Sequence, residues 1–228
     1  LITDGEDRVS TEPEVLKERA QKVHAAGYQL AIHAIGDRGV RVALDAIEKA
    51  QQGDHSRRHR IEHAQVVSEA DVPRLAALGV VASMQPTHAT SDMPWAESRL
   101  GPTRVRGAYA WRTLLDSGAS LAFGSDAPIE DENPWLGIYA AVTRQDPEGN
   151  PPAGWYPEQR LTVKEALAAF TRTAAFAAGD ENLGVIRPGA LADLTVVNSD
   201  PESVPKARLK DIKTLRTIVA GREVFRAE

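Results

Sequence analysis

The sequence predicts an α/β protein with a parallel β-sheet, followed by a small antiparallel sheet. Short apolar runs that suit strands alternate with amphipathic stretches that suit helices, and the connections between them are short. Several of the predicted helices end at a glycine, which is a common helix stop. After residue 193 the β-runs follow one another without helices between them. We therefore expect one unit over residues 1–180 and a second, smaller unit over residues 181–228.

Four strands are predicted in the first unit, each followed by a helix, and one further helix precedes them. Thr11, with Glu14 three positions later and Pro13 in the first turn, has the pattern of a capping box, so this first helix should run to Ala26. Ser68 should cap a later helix. A polar loop is expected after the third strand. The predicted strands are 28–34, 59–64, 80–85 and 120–123, and the predicted helices that follow them are 38–52, 68–78, 108–117 and 134–144.

The last third of the chain contains a predicted loop, a well-marked helix and the small sheet. Residues 146–159 are rich in proline and glycine, which predicts a long loop of the kind that forms lids or linkers. Thr162 and Glu165 form a second capping box, which should open a helix over 163–178. The β-runs that predict the antiparallel sheet lie at 194–197, 215–219 and 224–225.

The composition excludes several classes of protein. With 27 Lys+Arg against 32 Asp+Glu the net charge is -5, which argues against nucleic acid or an anionic membrane as the main partner. The absence of cysteine excludes disulfides, thiolate catalysis and Cys-ligated zinc. We expect a cytoplasmic protein with a small-molecule partner. Because the chain opens at Leu1 rather than Met, we also expect it to be part of a longer protein.

Three polar side chains stand at or just after predicted strand ends, namely His33, His63 and Asp126. The carboxyl ends of parallel strands share one face of a sheet, so we expect these three side chains to converge. Strand alternation places them with small residues, while the bulky apolar residues point to the helices. Two imidazoles and a carboxylate can bind Zn²⁺ or a similar divalent ion and leave a position open for water, whose proton a nearby Asp could take.

A structural reading of the same residues stays open. A single histidine at a strand end is more often a hydrogen-bonded structural residue, and Gly-Ser-Asp is a common turn composition. Three further residues are candidates for substrate contact: His88 after the third strand, Asp37 at a helix start, where it can also act as a cap, and Trp95 in the predicted loop. His24 is expected on the surface, and His59 in a solvated connection.

Four segments together resemble the later half of the amidohydrolase superfamily. They are HAIGDR at 33–38, RIEHAQ at 60–65, GSDAP at 124–128 and LGVIRPGALADL at 183–194. The most similar branch is the amidohydrolase family 3 group, also called YtcJ-like and related to N-acyl-D-amino-acid deacylases. The resemblance implies the C-terminal half of a metal-dependent (β/α)8 TIM barrel, about four β-α units, with part of a small accessory β-sandwich.

The resemblance also implies roles for the three strand-end residues. His33 matches the metal ligand of the fifth barrel strand, His63 that of the sixth, and Asp126 the aspartate of the eighth, which binds metal and transfers protons. The implied cofactor is a divalent metal, most often zinc, with one or two ions in the complete enzyme. The implied reaction is hydrolysis of a non-peptide C–N bond in an amide or cyclic amide.

One departure from the family pattern is large. The family has a His-x-His pair on its first strand, and no His-x-His occurs in this chain. The opening segment, 1–5, is similar to a point just past the fourth strand. An alternative to the hydrolase is therefore a catalytically incomplete fragment or binding module, and a third reading is a mononuclear hydrolase that uses His33, His63 and Asp126 alone. We expect the open half-barrel to form a homo-oligomer or to associate with the missing N-terminal segment.

Overall fold

The computed structural model describes residues 11–228, so the opening segment 1–5 lies outside the described residues. Its larger sheet has four parallel strands in the order β1-β2-β3-β4. Helices connect successive strands, so the carboxyl ends of all four strands lie at one edge. This is the predicted α/β arrangement. The strands are β1 (Ala31–Ala34), β2 (Arg60–His63), β3 (Val81–Met84) and β4 (Ser120–Phe123).

Eight α-helices are described in residues 11–228. They are α1 (Pro13–Ala25), α2 (Asp37–Gln51), α3 (Val72–Ala77), α4 (Pro86–Arg104), α5 (Trp111–Asp116), α6 (Pro134–Thr143), α7 (Val163–Phe170) and α8 (Arg172–Ala177). Short 3-10 turns lie at His55–Arg57, Val105–Gly107, Pro157–Gln159 and Lys206–Asp211.

The core lies between the sheet and the helices on its outer face. The predicted apolar stripe of α2, formed by Val40, Ala43, Leu44 and Ile47, is completely buried. Full burial of a branched aliphatic side chain contributes about 1.5–3 kcal/mol, so this stripe fixes α2 against the strands. The sheet and its helices thereby give the strand ends a rigid base.

Two helix starts differ from the sequence prediction. The Thr11 capping box is not formed: the residue before α1 is Glu12, no side chain caps it, and Pro13 occupies the first helical position. Helix α3 begins at Val72 rather than near Ser68, because the Ser68 hydroxyl donates to the Asp71 carboxylate and the intervening residues make a turn. Local side-chain bonds competed with the helix in this case.

The predicted polar loop after β3 is wrong, because α4 occupies most of it. Pro86 stands at the first turn, where a missing N–H costs no helical bond. The helix breaks at Gly101, whose φ of 73° and ψ of 170° are not helical, immediately before Pro102. Polar residues and internal prolines obscured the helical period in the sequence. The predicted helix over 163–178 is likewise two helices, separated at Thr171.

The smaller sheet is antiparallel, as predicted, with the order β5-β6-β7. Its strands are β5 (Leu194–Val197), β6 (Thr214–Val219) and β7 (Arg222–Arg226). Every residue of β7 is exposed, including Val224 and Phe225. Among residues 11–228, no helix combines the length and apolar character that crossing a membrane would require.

Candidate metal centre

The strand ends place His33 and His63 next to each other. His33 is the third residue of β1 and His63 the last residue of β2, and their ring centroids are 4.5 Å apart at an interplanar angle of 73°. His33 is exposed and His63 partly buried. The parallel register of neighbouring strands produces this proximity, because it aligns the two carboxyl ends.

A second grouping within the described residues joins His63 to His88 and Asp126. One ligating atom from each of the three lies within 4.8 Å of the other two. The rings of His63 and His88 are nearly parallel, at 15°, with centroids 5.9 Å apart. The grouping includes His88, which the sequence suggested for substrate contact, and does not include His33.

Two of these residues have unusual backbone conformations. His63 has a φ of 76° and Asp126 a φ of 60°, both in the left-handed region that residues other than glycine rarely adopt. Such conformations cost free energy and persist where the surrounding structure imposes them, which is common at functional sites. His63 turns the chain sharply at the end of β2, and Asp126 does so three residues after the end of β4.

Gln85 sets the tautomer of the His63 ring. His63 Nδ1 lies 3.0 Å from Gln85 Oε1, and the amide nitrogen of Gln85 donates to the Ser83 carbonyl at 3.4 Å. The amide oxygen only accepts, so His63 Nδ1 carries the hydrogen and Nε2 keeps its lone pair. That is the tautomer of a metal-ligating histidine whose second nitrogen is held by an outer partner. Gln85 directly follows β3, so its position at a strand end is visible in the sequence, but its side chain is neither charged nor an imidazole and its role was not predicted.

His88 is buried in the first turn of α4. Its Nδ1 lies 3.5 Å from Gln65 Nε2, and its Nε2 is buried without a hydrogen-bond partner. Burial is the main cause that lowers the pKa of His88. Burial, followed by the charge of His63, also lowers the pKa of His33. Both shifts favour neutral imidazole, the form that binds metal ions or donates a single hydrogen bond.

Behind His88 lies a buried polar chain that the sequence did not reveal. Gln65 Nε2 donates to the Tyr109 hydroxyl, which donates to Asp92 Oδ2. Burial is the main cause that raises the pKa of Asp92, and the hydrogen bond from Tyr109 opposes it. The members come from the loop after β2, the stretch before α5 and the middle of α4, so no local pattern connects them.

The other two proposed substrate residues lie in helices α2 and α4. Asp37 is the first residue of α2 and pairs with both Nε and Nη2 of Arg104, at 2.9 and 2.8 Å. Trp95 was expected in a loop, but it lies in α4 and packs against the core, with the guanidinium of Arg99 5.7 Å from its ring centre.

The expectations for His24 and His59 were wrong. His59 is 2% exposed rather than solvated, because its ring is enclosed between α1 and the start of β2. His24 is partly buried and its Nδ1 lies 2.9 Å from His59 Nε2. Burial is the main cause that lowers the pKa of His59 to about 4.

Comparison with known proteins identifies the family. A family model described as the amidohydrolase family matches residues 4–225. The chain belongs to the amidohydrolase family. Putative amidohydrolase YtcJ of Bacillus subtilis (strain 168) is 35% identical over 213 residues, which are 93% of this chain and 40% of that protein. N-substituted formamide deformylase of Arthrobacter pascens is 30% identical over 212 residues, which are 90% of this chain and 38% of that protein.

The fold of this amidohydrolase chain is also found in solved structures. A crystal structure of an uncharacterized metal-dependent hydrolase from Pyrococcus horikoshii OT3 has a TM-score of 0.75 and 34% sequence identity, covering 86% of this chain and 39% of that one. The predicted TIM-barrel α/β fold is confirmed. The amidohydrolase chain thus spans about two fifths of the length of the relatives named here.

Proposed function

We propose that this chain carries the C-terminal part of the active site of a metal-dependent hydrolase that cleaves non-peptide C–N bonds in amides or cyclic amides. The observation that carries the proposal is the convergence of His63 and Asp126 with a second imidazole at the carboxyl ends of the strands, where His63 Nε2 is left with a free lone pair. Membership of the amidohydrolase family and the similarity to a metal-dependent hydrolase support it.

The residues fit a divalent metal ion. The proposed ligands are His33, His63 and Asp126, which offer two imidazole nitrogens and a carboxylate, and the chain has no cysteine to add sulfur. Nitrogen and oxygen donors of this kind suit Zn²⁺ and similar ions. When bound, such an ion would polarise a carbonyl group and lower the pKa of water.

Asp126 is the proposed proton-transfer residue. In amide hydrolysis the oxygen of water adds to the carbonyl carbon, the C–N bond breaks, and a proton from the water ends on the leaving nitrogen. The Asp126 carboxylate is exposed and within 4.8 Å of His63, so it can take that proton and return it to the nitrogen. A small amide is the substrate class that the formamide deformylase relative also suggests.

The metal ligands that the family has on its first strand are missing from this chain, which leaves a second candidate function. No His-x-His occurs in its 228 residues, so a catalytically incomplete fragment or binding module is the alternative. Metal content and turnover separate the two. We expect the full-length protein, purified from its native cells, to contain a first-row divalent metal. It should also release 4-nitroaniline from 4-nitroformanilide or 4-nitroacetanilide. Absence of both, after zinc is supplied at neutral pH, would favour the incomplete module.

We also propose that the open sheet is covered by another segment. Among residues 11–228, β1 and β4 are edge strands of a parallel sheet, and such sheets are normally covered on both faces. The N-terminal segment of the family, or a second copy of the chain, would fill that role. Light scattering on the 228-residue polypeptide should therefore give more than 24.7 kDa, or show aggregation. A cooperative 24.7 kDa monomer would contradict this expectation.

A further inference from the structure

A chain of buried hydrogen bonds leads from Asp92 to the metal centre. The Tyr109 hydroxyl lies 2.5 Å from Asp92 Oδ2, Gln65 Nε2 lies 2.5 Å from the Tyr109 hydroxyl, and His88 Nδ1 lies 3.5 Å from Gln65 Nε2. Asp92 and His88 are 7% and 8% exposed, and the two residues between them are at most 1% exposed. Buried polar groups in a row are costly unless each has a partner, so the direction of each bond is constrained.

The direction of the bonds follows from the chemistry of the groups. The Tyr109 hydroxyl donates its single hydrogen to Asp92 Oδ2. The Tyr109 oxygen must then accept, and Gln65 supplies one of its two amide hydrogens. The second amide hydrogen is available for His88 Nδ1. The chain therefore makes His88 Nδ1 an acceptor and leaves the ring hydrogen on Nε2.

The opposite orientation of the Gln65 amide fits less well. Gln65 Oε1 is buried and has no hydrogen-bond partner among the described residues. Exchanging the amide oxygen and nitrogen would place the amide oxygen against the Tyr109 oxygen, whose single hydrogen is already donated to Asp92, so two acceptors would face each other inside the protein. The Gln65 orientation with its nitrogen toward Tyr109 and His88 is therefore the better satisfied one.

We propose that His88 donates a hydrogen bond from Nε2 to the carbonyl oxygen of the amide substrate, and that Gln65, Tyr109 and Asp92 are positioning residues that keep the hydrogen on that nitrogen. The inference rests on the proposed amide hydrolysis. His88 Nε2 is buried without a partner, and the ring lies beside His63 and Asp126, where a substrate carbonyl would stand. The carbonyl oxygen gains negative charge as water adds, so this hydrogen bond becomes stronger in the transition state.

The same chain argues against His88 as a metal ligand. A nitrogen that carries hydrogen has no lone pair for a metal ion. Ligation through Nε2 would require the hydrogen on Nδ1, where it would face the N–H group of Gln65. His63 shows the opposite arrangement, since an amide oxygen faces its Nδ1 and frees Nε2 for the metal. Two glutamines thus give neighbouring histidines opposite tautomers.

The first test measures the tautomer of His88 directly in the full-length protein. Nitrogen-15 NMR of histidine-labelled protein, with the His88 signals assigned by their loss in His88→Gln, should show hydrogen on Nε2 and an unprotonated Nδ1. Tyr109→Phe removes the hydroxyl that orients Gln65, so it should mix the two tautomers. Hydrogen on His88 Nδ1 in the unsubstituted protein would overturn the proposal. This readout needs no turnover, so it stays valid if the proposed reaction is wrong.

The second test separates donor from ligand by zinc affinity and turnover. His88→Ala should leave zinc affinity, measured by competition with a chromogenic chelator, within about threefold, whereas His63→Ala should lower it strongly. With 4-nitroformanilide, His88→Ala should lower kcat about 10²–10³-fold with little change in KM, as for loss of an oxyanion donor. His88→Gln, whose amide can still donate, should recover part of that loss. A fall in zinc affinity for His88→Ala equal to that for His63→Ala would overturn the proposal.

Discussion

Strand β2 has a histidine cluster at each end, and the two clusters differ in how their ring nitrogens are used. At the carboxyl end stand His33, His63 and His88, where His88 Nε2 is buried without a partner. At the amino end His24 and His59 pack edge to face, with ring centroids 5.1 Å apart. Both clusters lie at element boundaries, so residue type and position alone do not tell them apart.

The ring nitrogens of the amino-end cluster all have neighbours. The Leu30 N–H donates to His59 Nδ1 at 3.0 Å, so His59 Nε2 carries the hydrogen and donates to His24 Nδ1 at 2.9 Å. His24 Nε2 in turn lies 3.6 Å from Asp54 Oδ2. The chain ends at the exposed carboxylate of Asp54. Between these two clusters, the one with a buried, unpaired ring nitrogen lies at the proposed functional site, and the one whose nitrogens are all paired has a structural role.

The largest expected effect tests the carboxyl end. Asp126→Asn replaces the carboxylate that is proposed to accept the proton from water with an amide, whose oxygen is a far weaker base. We expect kcat for 4-nitroformanilide to fall about 10²–10⁴-fold, with the free energy of unfolding little changed. Asp131→Asn, at an exposed position of the same connection, is the matched control and should keep its activity. Turnover close to that of the unsubstituted protein in Asp126→Asn would remove Asp126 from the proton-transfer role.

The second largest expected effect is the pH dependence of stability that His59, at the amino end of β2, should produce. In the folded chain the pKa of His59 is about 4, against an ordinary value of 6.5, so the unfolded chain takes up more protons between these pH values. The resulting stability is complete above about pH 6.5 and is lost as pH falls towards 4. The shift corresponds to about 3 kcal/mol in the free energy of unfolding.

Urea unfolding at a series of pH values measures this dependence. His59→Gln should flatten it between pH 6.5 and 4 without changing zinc affinity, because the substitution lies at the opposite end of β2 from the candidate metal centre. His55→Gln, at the exposed histidine of the neighbouring 3-10 turn, should leave the slope as it is. An unchanged slope in His59→Gln would show that the amino-end cluster does not control acid stability.

The smallest expected effect concerns the candidate metal centre itself. Gln85→Leu removes the acceptor from His63 Nδ1, and loss of such an outer partner typically lowers metal affinity 10- to 100-fold. Gln85→Glu keeps an acceptor and should retain the affinity. Equal zinc affinity in the two variants, measured by chelator competition, would mean that the partner of Nδ1 does not matter.

The sequence by itself determined much of the architecture. The alternation of apolar runs with amphipathic stretches predicted the parallel sheet, and the β-runs after residue 193 predicted the antiparallel one. The Thr162 capping box is confirmed, with the Thr162 hydroxyl accepting from the Glu165 N–H and the Glu165 carboxylate accepting from the Thr162 N–H. These features depend on residues near one another in the chain, so their pattern is visible without coordinates. Position at a strand end likewise singled out His33, His63 and Asp126.

Only the tertiary structure decided which nitrogen of each histidine is free. Gln85 lies 22 residues after His63, and His59 lies 35 residues after His24, yet these pairs set the hydrogen positions. The burial of His59 depends on how α1 packs beside the start of β2. A hydrogen bond needs its two atoms within about 3 Å, and residues distant in sequence reach that distance only through the packing of whole elements. The local pattern could therefore predict which residues stand at the strand ends, but not their protonation or their partners.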